Sequence, residues 1–561
     1  MFLPNMSETW KGVSQPMAMP PILNRVGASI ARFRRDTRAN IAITFALAAI
    51  PVLGAVGAAT DYSLAARIRT KLQSAADTAA VAAVSEKSAG WTAAMQMSTD
   101  GTVSAGVTEA TNVFRGVAST MEGYQNLLVT SLTVTKTGTN LSSNLQFSAQ
   151  VPVTFMKVLG WQTMTVTGTS TATSSLPLYL DFYLTVDVSG SMGLPSTPAE
   201  AIRMQSINPD NFVQYPTGCT LACHFAPQNS ACRDPSVTSP TNPPANPPTN
   251  SAYTQRYNTN NYCMGYSYSR VSQSALANLI SMATSSATPK QVPGLPKSML
   301  AGLPGSLNND PTWGMTAVPN CQTDGTDACI QLRLDAVGYA VTELFKTANQ
   351  TKKVTNQFRI GLYPFIRYMD TGYFPLTSSI NGSPTTPGTI NYAAANLASL
   401  LDTNINANLG SGGTHIDTAL STMNTTIISV GNGTASNNTL PYVFLVTDGA
   451  QDNQVKGVPN GSWSGSNQAT TINPTTVCKP LKDRGIVISV LYIPYVPISP
   501  VNTTFAGNED TYANDNIPNI PGSLSGCASP GFFYTANTPA DITAALKKMF
   551  DHALVHAHLT H

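Results

Sequence analysis

Twenty consecutive uncharged residues, Ile41 to Thr60, leave this chain fewer choices than any other stretch: Ile-Ala-Ile-Thr-Phe-Ala-Leu-Ala-Ala-Ile-Pro-Val-Leu-Gly-Ala-Val-Gly-Ala-Ala-Thr. Hydrocarbon satisfies no backbone N–H or C=O, so a run that enters it must be helical. At about 1.5 Å per residue such a run matches the roughly 30 Å core of a bilayer. Pro51 is expected to kink this helix, which membrane helices tolerate. Arg25, Arg32, Arg34, Arg35 and Arg38 precede it, against the single acid Asp36. That bias makes residues 1–40 a cytoplasmic basic leader and 41–60 a transmembrane helix, with everything after Asp61 on the far side. A cleaved signal peptide is the competing reading, since Ala55 to Ala59 offers small residues to a peptidase, but the apolar run and its leader are both long for one.

Residues 61–86 continue as helix, with Leu64, Ile68, Leu72, Ala75, Ala76 and Ala79 on one stripe, so the anchor is expected to project beyond the membrane. The Arg-rich start with Asp36, the Ala-rich span with Pro51, Asp61-Tyr62 and Leu72-Gln-Ser-Ala-Ala-Asp-Thr-Ala-Ala80 together resemble the N-terminal domain of TadG-like proteins. These belong to Flp/Tad (tight adherence) pilus-assembly systems. The resemblance spans about residues 31–84 and departs at Ala39-Asn40, where a Gly is expected before the span. It implies a single-pass protein of the bacterial inner membrane with its main domains in the periplasm, acting in pilus assembly or adhesion.

Residues 87–177 are rich in Thr, Ser and Val. Leu128–Thr135, Leu145–Val153 and Thr163–Thr173 alternate with period two, which reads as half-buried strands in a small β-rich module. The chain of 561 residues exceeds what one core organises. Its charged content is 11%, against roughly 25% for an average soluble domain. A net charge of +2 gives no electrostatic footprint for nucleic acid.

A mostly apolar run, Leu178 to Val186, reads as a buried strand and delivers Asp187-Val-Ser189-Gly-Ser191-Met. One carboxylate and two hydroxyls at alternate positions aim oxygen at one place, the ligand type that hard cations require. From Gln331 an α/β rhythm sets in. Helices are expected at 331–348, 393–401, 417–430, 475–483 and 539–554, and strands at 358–365, 440–447, 485–492 and 532–534. Alternation of this kind implies a parallel sheet covered on both faces. Ligands of such sheets bind beyond the carboxyl ends of the strands, where the strand order reverses. Thr414, in the loop Gly410-Ser-Gly-Gly-Thr, and Asp448, after the strand 440–447, join the first loop there. The five positions Asp187, Ser189, Ser191, Thr414 and Asp448 form an oxygen-only set, without the His or Cys that zinc or copper would favour.

This ordered set resembles the metal-ion-dependent adhesion site (MIDAS) of von Willebrand factor A domains. The resemblance covers about residues 178–193 and 331–552. It implies that Ser189, Ser191 and Thr414 bind Mg²⁺ (or Ca²⁺ or Mn²⁺) directly while Asp187 and Asp448 act mainly through water. An open coordination position would then accept an acidic group from a pilus-assembly or envelope partner, and no small-molecule substrate is expected. Two other functions compete: a structural envelope scaffold that leaves its metal site unused, and a metal-dependent hydrolase. The hydrolase needs a nucleophile beside a base, and no Gly-x-Ser-x-Gly elbow stands where it would serve, so no enzyme is expected. His415 is read as a residue at a helix start near the site.

Residues 194–330 interrupt this domain. They hold six of the eight cysteines (Cys219, Cys223, Cys232, Cys263, Cys321 and Cys329), a Pro-rich linker at 239–249 and a helix at 271–282. An insertion this long is expected to be stapled by disulfides, which places the chain in an oxidising compartment. Cys219-Thr-Leu-Ala-Cys223-His224 is one residue too long for covalent haem attachment. A Cys-x-x-x-Cys-His also occurs at this place in some TadG-like proteins. Cys478 and Cys527 are expected to pair. His552 and His556 have a spacing that could hold a metal, but residues 553–561 are read as a frayed His-containing tail.

Overall fold

The computed structural model describes residues 40–207, 269–284, 316–402, 406–458, 462–498, 501 and 508–560. The basic leader, the Cys219–His224 motif, the Pro-rich linker, Cys232 and Cys263 lie outside these residues. The chain forms two units, one made of residues up to 90 with 103–134 and 142–173, the other of 91–102, 135–141 and 174–561.

In the first unit the apolar run forms the start of one long helix, α1 (Asn40–Val84), with Pro51 inside it. It is long and apolar enough to cross a membrane. Large apolar side chains of its first half, among them Phe45, Leu47, Ile50 and Leu53, are exposed. Its second half does not project freely. Ala65, Ile68, Leu72, Ala75, Ala76 and Ala79 are buried with Phe114, Ala118, Leu145, Phe147 and Val151. Residues 61–86 and the β-rich module therefore share one core, because a stripe of small residues lets sheet and helix approach closely. Leu64, expected on that stripe, is exposed, and Ala65 takes its place. The short helix α2 (Ala89–Gln96), which falls mostly in the second unit, and α3 (Ser104–Ser119) follow. The strands β1 (Gly101–Thr102), β2 (Gln125–Thr137), β3 (Asn140–Pro152) and β4 (Thr163–Ser175) pair in the order β1-β2-β3-β4; β1 and the β2–β3 turn at 135–141 are counted with the second unit. Burial alternates along β3, as period two requires of a sheet with one wet face.

In the second unit, six strands make one sheet. They are β5 (Leu180–Asp187), β6 (Phe358–Phe365), β7 (Phe374–Thr377), β8 (Leu440–Thr447), β11 (Val487–Tyr492) and β12 (Phe533–Thr535). Two short strands, β9 (Val455–Lys456) and β10 (Trp463–Ser464), pair separately. The order in the sheet is β12-β11-β8-β5-β6-β7. All neighbours are parallel except β7, which runs antiparallel to β6 at the edge. Pro375 in β7 donates no hydrogen bond, which suits an edge and hides the strand from sequence patterns. β5 and β8 are buried at every position, as strands covered on both faces must be.

The remaining helices are α4 (Pro198–Ile207), α5 (Gln273–Thr284), α6 (Arg333–Thr351), α7 (Ile390–Ala395), α8 (Ile416–Thr426), α9 (Pro474–Val477), α10 (Lys479–Asp483), α11 (Glu509–Asn516), α12 (Ile520–Cys527) and α13 (Pro539–Thr560). α6, α7 and α13 cover one face of the sheet, where Phe182 meets Phe358, Tyr442, Phe444 and Phe550. α8, α10 and α12 cover the other. The single helix expected over 475–483 is two pieces, because Pro480 has no N–H to continue the first. Residues 509–527, punctuated by Pro518, Pro521, Gly522 and Gly526, form α11 and α12 where no element was expected. The C-terminal residues are not a frayed tail. α13 runs to Thr560, with Ala553 and Ala557 buried. His552 Nδ1 lies 2.7 Å from the Tyr534 hydroxyl and His556 Nδ1 lies 3.1 Å from that of Tyr442. Those contacts use the ring nitrogens for packing.

Cys478 and Cys527 pair as expected, and Cys321 pairs with Cys329. The first bond ties the start of α10 to the end of α12 across a sequence separation of 49. Chain entropy alone makes such a crosslink worth about 2–4 kcal/mol. The double variant Cys478→Ala/Cys527→Ala is therefore expected to melt earlier than the native protein under oxidising conditions, and to match it in reductant. Equal melting temperatures without reductant would refute this.

Candidate metal centre

β5 and β8 are neighbours at the centre of the sheet, and the strand order reverses between them: chain succession runs from β5 outward through β6 to β7, then from β8 outward through β11 to β12. Asp187 ends β5 and Asp448 follows β8. Both are fully buried. Asp187 accepts from the Ser189 N–H at 3.0 Å and from the Thr447 hydroxyl at 2.6 Å. Thr447 in turn accepts from the Gly449 N–H at 2.9 Å, which fixes the turn that carries Asp448. The Ser189 and Ser191 hydroxyls lie 3.4 Å apart.

No hydrogen bond of good geometry reaches either carboxylate oxygen of Asp448, although the Ser191 hydroxyl and the Ala450 amide lie beside it. A buried, unpaired carboxylate is costly. Burial raises the pKa of Asp448, while the Ser191 hydroxyl, the Arg333 charge and the Ala450 amide pull the other way. Burial, together with the charge of Asp448, pushes Asp187 up to about 7. Two carboxylates that destabilise each other's charged forms in a dry pocket suit a cation between or beside them.

Thr414 reaches this end of the sheet through its backbone. The Thr414 N–H donates to the Asp452 carbonyl at 3.0 Å, and the Asp452 N–H returns the bond at 2.9 Å. His415 N–H bonds the Ile366 carbonyl and Val188 N–H bonds that of Phe365, so the neighbours of Thr414 and of Asp187 are held by adjacent residues at the end of β6. Gly412 and Gly413 have φ of +85° and +65°. A Cβ at Gly413 would stand 2.3 Å from the Asp452 carbonyl oxygen, so the loop needs glycine on both counts. His415 Nε2 lies 2.9 Å from the Gln454 carbonyl. A carbonyl can only accept, so in this contact Nε2 is the donor and the ring is held at the start of α8.

Four supporting residues have no counterpart in the sequence reading. Thr447 orients Asp187. Asp402 receives the Ser411 hydroxyl at 2.7 Å and the Gly412 N–H at 2.9 Å, clamping the glycine loop. Gln451 Oε1 accepts from the Ile416 N–H at 2.9 Å at the start of α8. Arg333, buried, donates to the Pro494 carbonyl at 3.1 Å and lends positive charge to Asp448. An arginine in the first turn of a helix opposes the helix dipole, and that was the available signal. Among the described residues no cluster of three or more His, Cys, Asp or Glu is arranged for a metal. The set here has two carboxylates, and its other oxygens are hydroxyls.

The loop that carries Ser191 is also the root of the insertion. Arg333 N–H bonds the Leu194 carbonyl, and Ser196 N–H bonds that of Gln331. Glu200 of α4 is buried, holds Arg203 at 2.7 and 2.9 Å and accepts from the Gly325 N–H. Arg203 also bonds the carbonyls of Thr326 and Cys329. Fully buried Arg270 makes two parallel bonds to Asp335, at 2.9 and 2.5 Å.

Residues 39–86 match the model of the Flp pilus-assembly TadE/G-like family. No curated protein matches the chain. Among solved structures it is similar to proximal thread matrix protein 1 from the mussel byssus with a zinc-occupied MIDAS motif, at 17% identity and TM-score 0.24, covering 39% of this chain and 43% of that one. It is similar to the vWF domain of the type V pili tip protein Mfa5 from Porphyromonas gingivalis, at 11% identity and TM-score 0.24, covering 40% and 89%. It is also similar to the PilB minor pilin from Streptococcus sanguinis, at 10% identity and TM-score 0.28, covering 76% and 78%. The chain thus spans about two fifths of the mussel protein's length.

Proposed function

We propose that this chain is a membrane-anchored, pilus-associated adhesion component whose α/β domain binds an acidic group of a partner through a divalent cation. The family match over residues 39–86 supports the association with Flp pilus assembly. The anchor reading draws on α1, which is long and apolar enough to span. By that reading residues 41–60 lie in the bacterial inner membrane and the residues after Asp61 lie in the periplasm. The α/β unit is read as a von Willebrand factor A domain, on its strand order and on the loops at its switch point.

The observation that carries the metal reading is Asp448: buried, without a hydrogen bond of good geometry on either oxygen, and electrostatically coupled to buried Asp187. Asp187, Ser189, Ser191, Thr414 and Asp448 would hold Mg²⁺, Ca²⁺ or Mn²⁺. A bound ion supplies a positive centre with a position open to a partner's carboxylate. Thr447 and the Ser189 amide orient Asp187, while Asp402 and Gln451 hold the glycine loop in register.

A pull-down from envelope extracts tests this reading. The native protein is expected to retain a partner that chelator releases, and Asp448→Ala is expected to lose it in either condition. A partner indifferent to both would identify a structural scaffold instead.

A further inference from the structure

Four large apolar side chains in the first unit stand in water without any role in its core. Phe155, Val158, Leu159 and Trp161 are 54%, 87%, 61% and 59% exposed. They lie within seven residues, on a short 3₁₀ turn (Met156–Leu159) closed by Gly160 at φ +90°. Such a cluster marks an interaction surface.

Its position on α1 says which one. The Asp61 carboxylate accepts from the N–H groups of Thr154, Phe155 and Met156, at 2.9, 2.9 and 2.8 Å. From Thr44 onward Gly57 is the first buried residue of α1, and a Cβ there would stand 2.5 Å from the Cβ of Phe155. The loop is therefore pressed against the last turn of the apolar run. Gly57 precedes Thr60 by about 4.5 Å along the helix axis. With residues 41–60 spanning the bilayer, the loop would lie where hydrocarbon gives way to headgroups.

We propose that residues 155–161 insert into the lipid leaflet facing the folded domains and form a second membrane contact beside the anchor. This rests on the membrane-anchor reading of α1. The chemistry suits that layer. Trp161 is of the type enriched at headgroup level, and Lys157, the one charge in the segment, can extend its head toward lipid phosphates while its stem stays apolar. Asp61, which would be costly beside lipid, is buried and satisfied by its three amide bonds. The paired contacts would set both the depth of α1 and the tilt of the unit against the membrane.

The test uses the full chain reconstituted in phosphatidylcholine–phosphatidylglycerol vesicles, with and without lipids brominated in the upper acyl chain. Tryptophan emission is compared between the native protein and Trp161→Phe. Bromolipid is expected to quench a blue-shifted component that Trp161→Phe lacks. Val158→Asp/Leu159→Asp, which puts charge into the leaflet, is expected to lose that quenching while leaving the protein vesicle-bound. Vesicle-bound native protein whose bromolipid quenching is unchanged by Trp161→Phe would overturn the contact and leave the loop facing water or a protein. A protein that fails to float with the vesicles would overturn the anchor and the contact together.

Discussion

Asp448→Asn is expected to raise the melting temperature of the chelated protein and to abolish its response to divalent cations. The side chain keeps its shape and loses its charge. In the native protein that charge is buried, receives no hydrogen bond of good geometry and destabilises the ionised form of Asp187. Removing an unsatisfied buried group of this kind relieves about 1–3 kcal/mol. The native protein should instead be rescued by the ion. At a concentration about 100 times its Kd, an ion that binds only the folded state adds about 2.7 kcal/mol. For a domain of this size that is a shift of about 5–10 °C. Thermal melts with chelator and with Mg²⁺, Ca²⁺ or Mn²⁺ in turn read both effects. Should Asp448→Asn keep the native cation shift, Asp448 is not at the ion. If it melts lower than the native protein in chelator, its charge is compensated in some other way.

The second large effect is expected at Arg270. Its guanidinium is fully buried and makes two parallel bonds to Asp335, which also accepts from the N–H groups of Leu332 and Cys321. Arg270→Ala leaves the Asp335 charge buried and without its partner, at a cost of about 3–5 kcal/mol. The loss should reach the loop that carries Ser191, because α6 also carries Arg333, whose N–H holds Leu194. Arg270→Met/Asp335→Asn removes both charges and is expected to recover most of the stability, since a well-packed neutral pair replaces buried ions at little cost. Melting of the detergent-solubilised protein separates the cases. Equal loss in the single and double variants would mean that packing, not charge, holds this joint.

Much of this arrangement is legible in residue order. β5 and β8 read as buried strands because a strand covered on both faces is apolar at nearly every position. Asp187 and Asp448 stand out because a carboxylate directly after such a run has no packing reason to be there. The glycines at 412 and 413 mark a loop that only glycine can make. Other parts leave no such trace. Arg270 lies 65 residues from Asp335, and nothing local in either neighbourhood reveals the pair. α12 is hidden by Pro521 in its first turn, where proline is tolerated but reads as a breaker, and α11 by a polar sequence without an apolar stripe. The C-terminal histidines look like a loose polar end until Tyr442, Phe532 and Tyr534 are placed beside them.

The sequence by itself determined two things. An uncharged run of this length has only a helix open to it in lipid, and a carboxylate and two hydroxyls at alternate positions of a turn offer oxygen of the kind that hard cations take. Both follow from local chemistry, in which a residue and its near neighbours decide the outcome. Tertiary structure decided the rest. It set β5 against β8, so that Asp187 and Asp448 share one dry end of the sheet. It folded the second half of α1 into the β-rich unit and pressed residues 154–156 onto Asp61. These are contacts between distant segments. Their energy comes from burial and from pairing buried polar groups, quantities that exist only once the chain has chosen which of its surfaces meet.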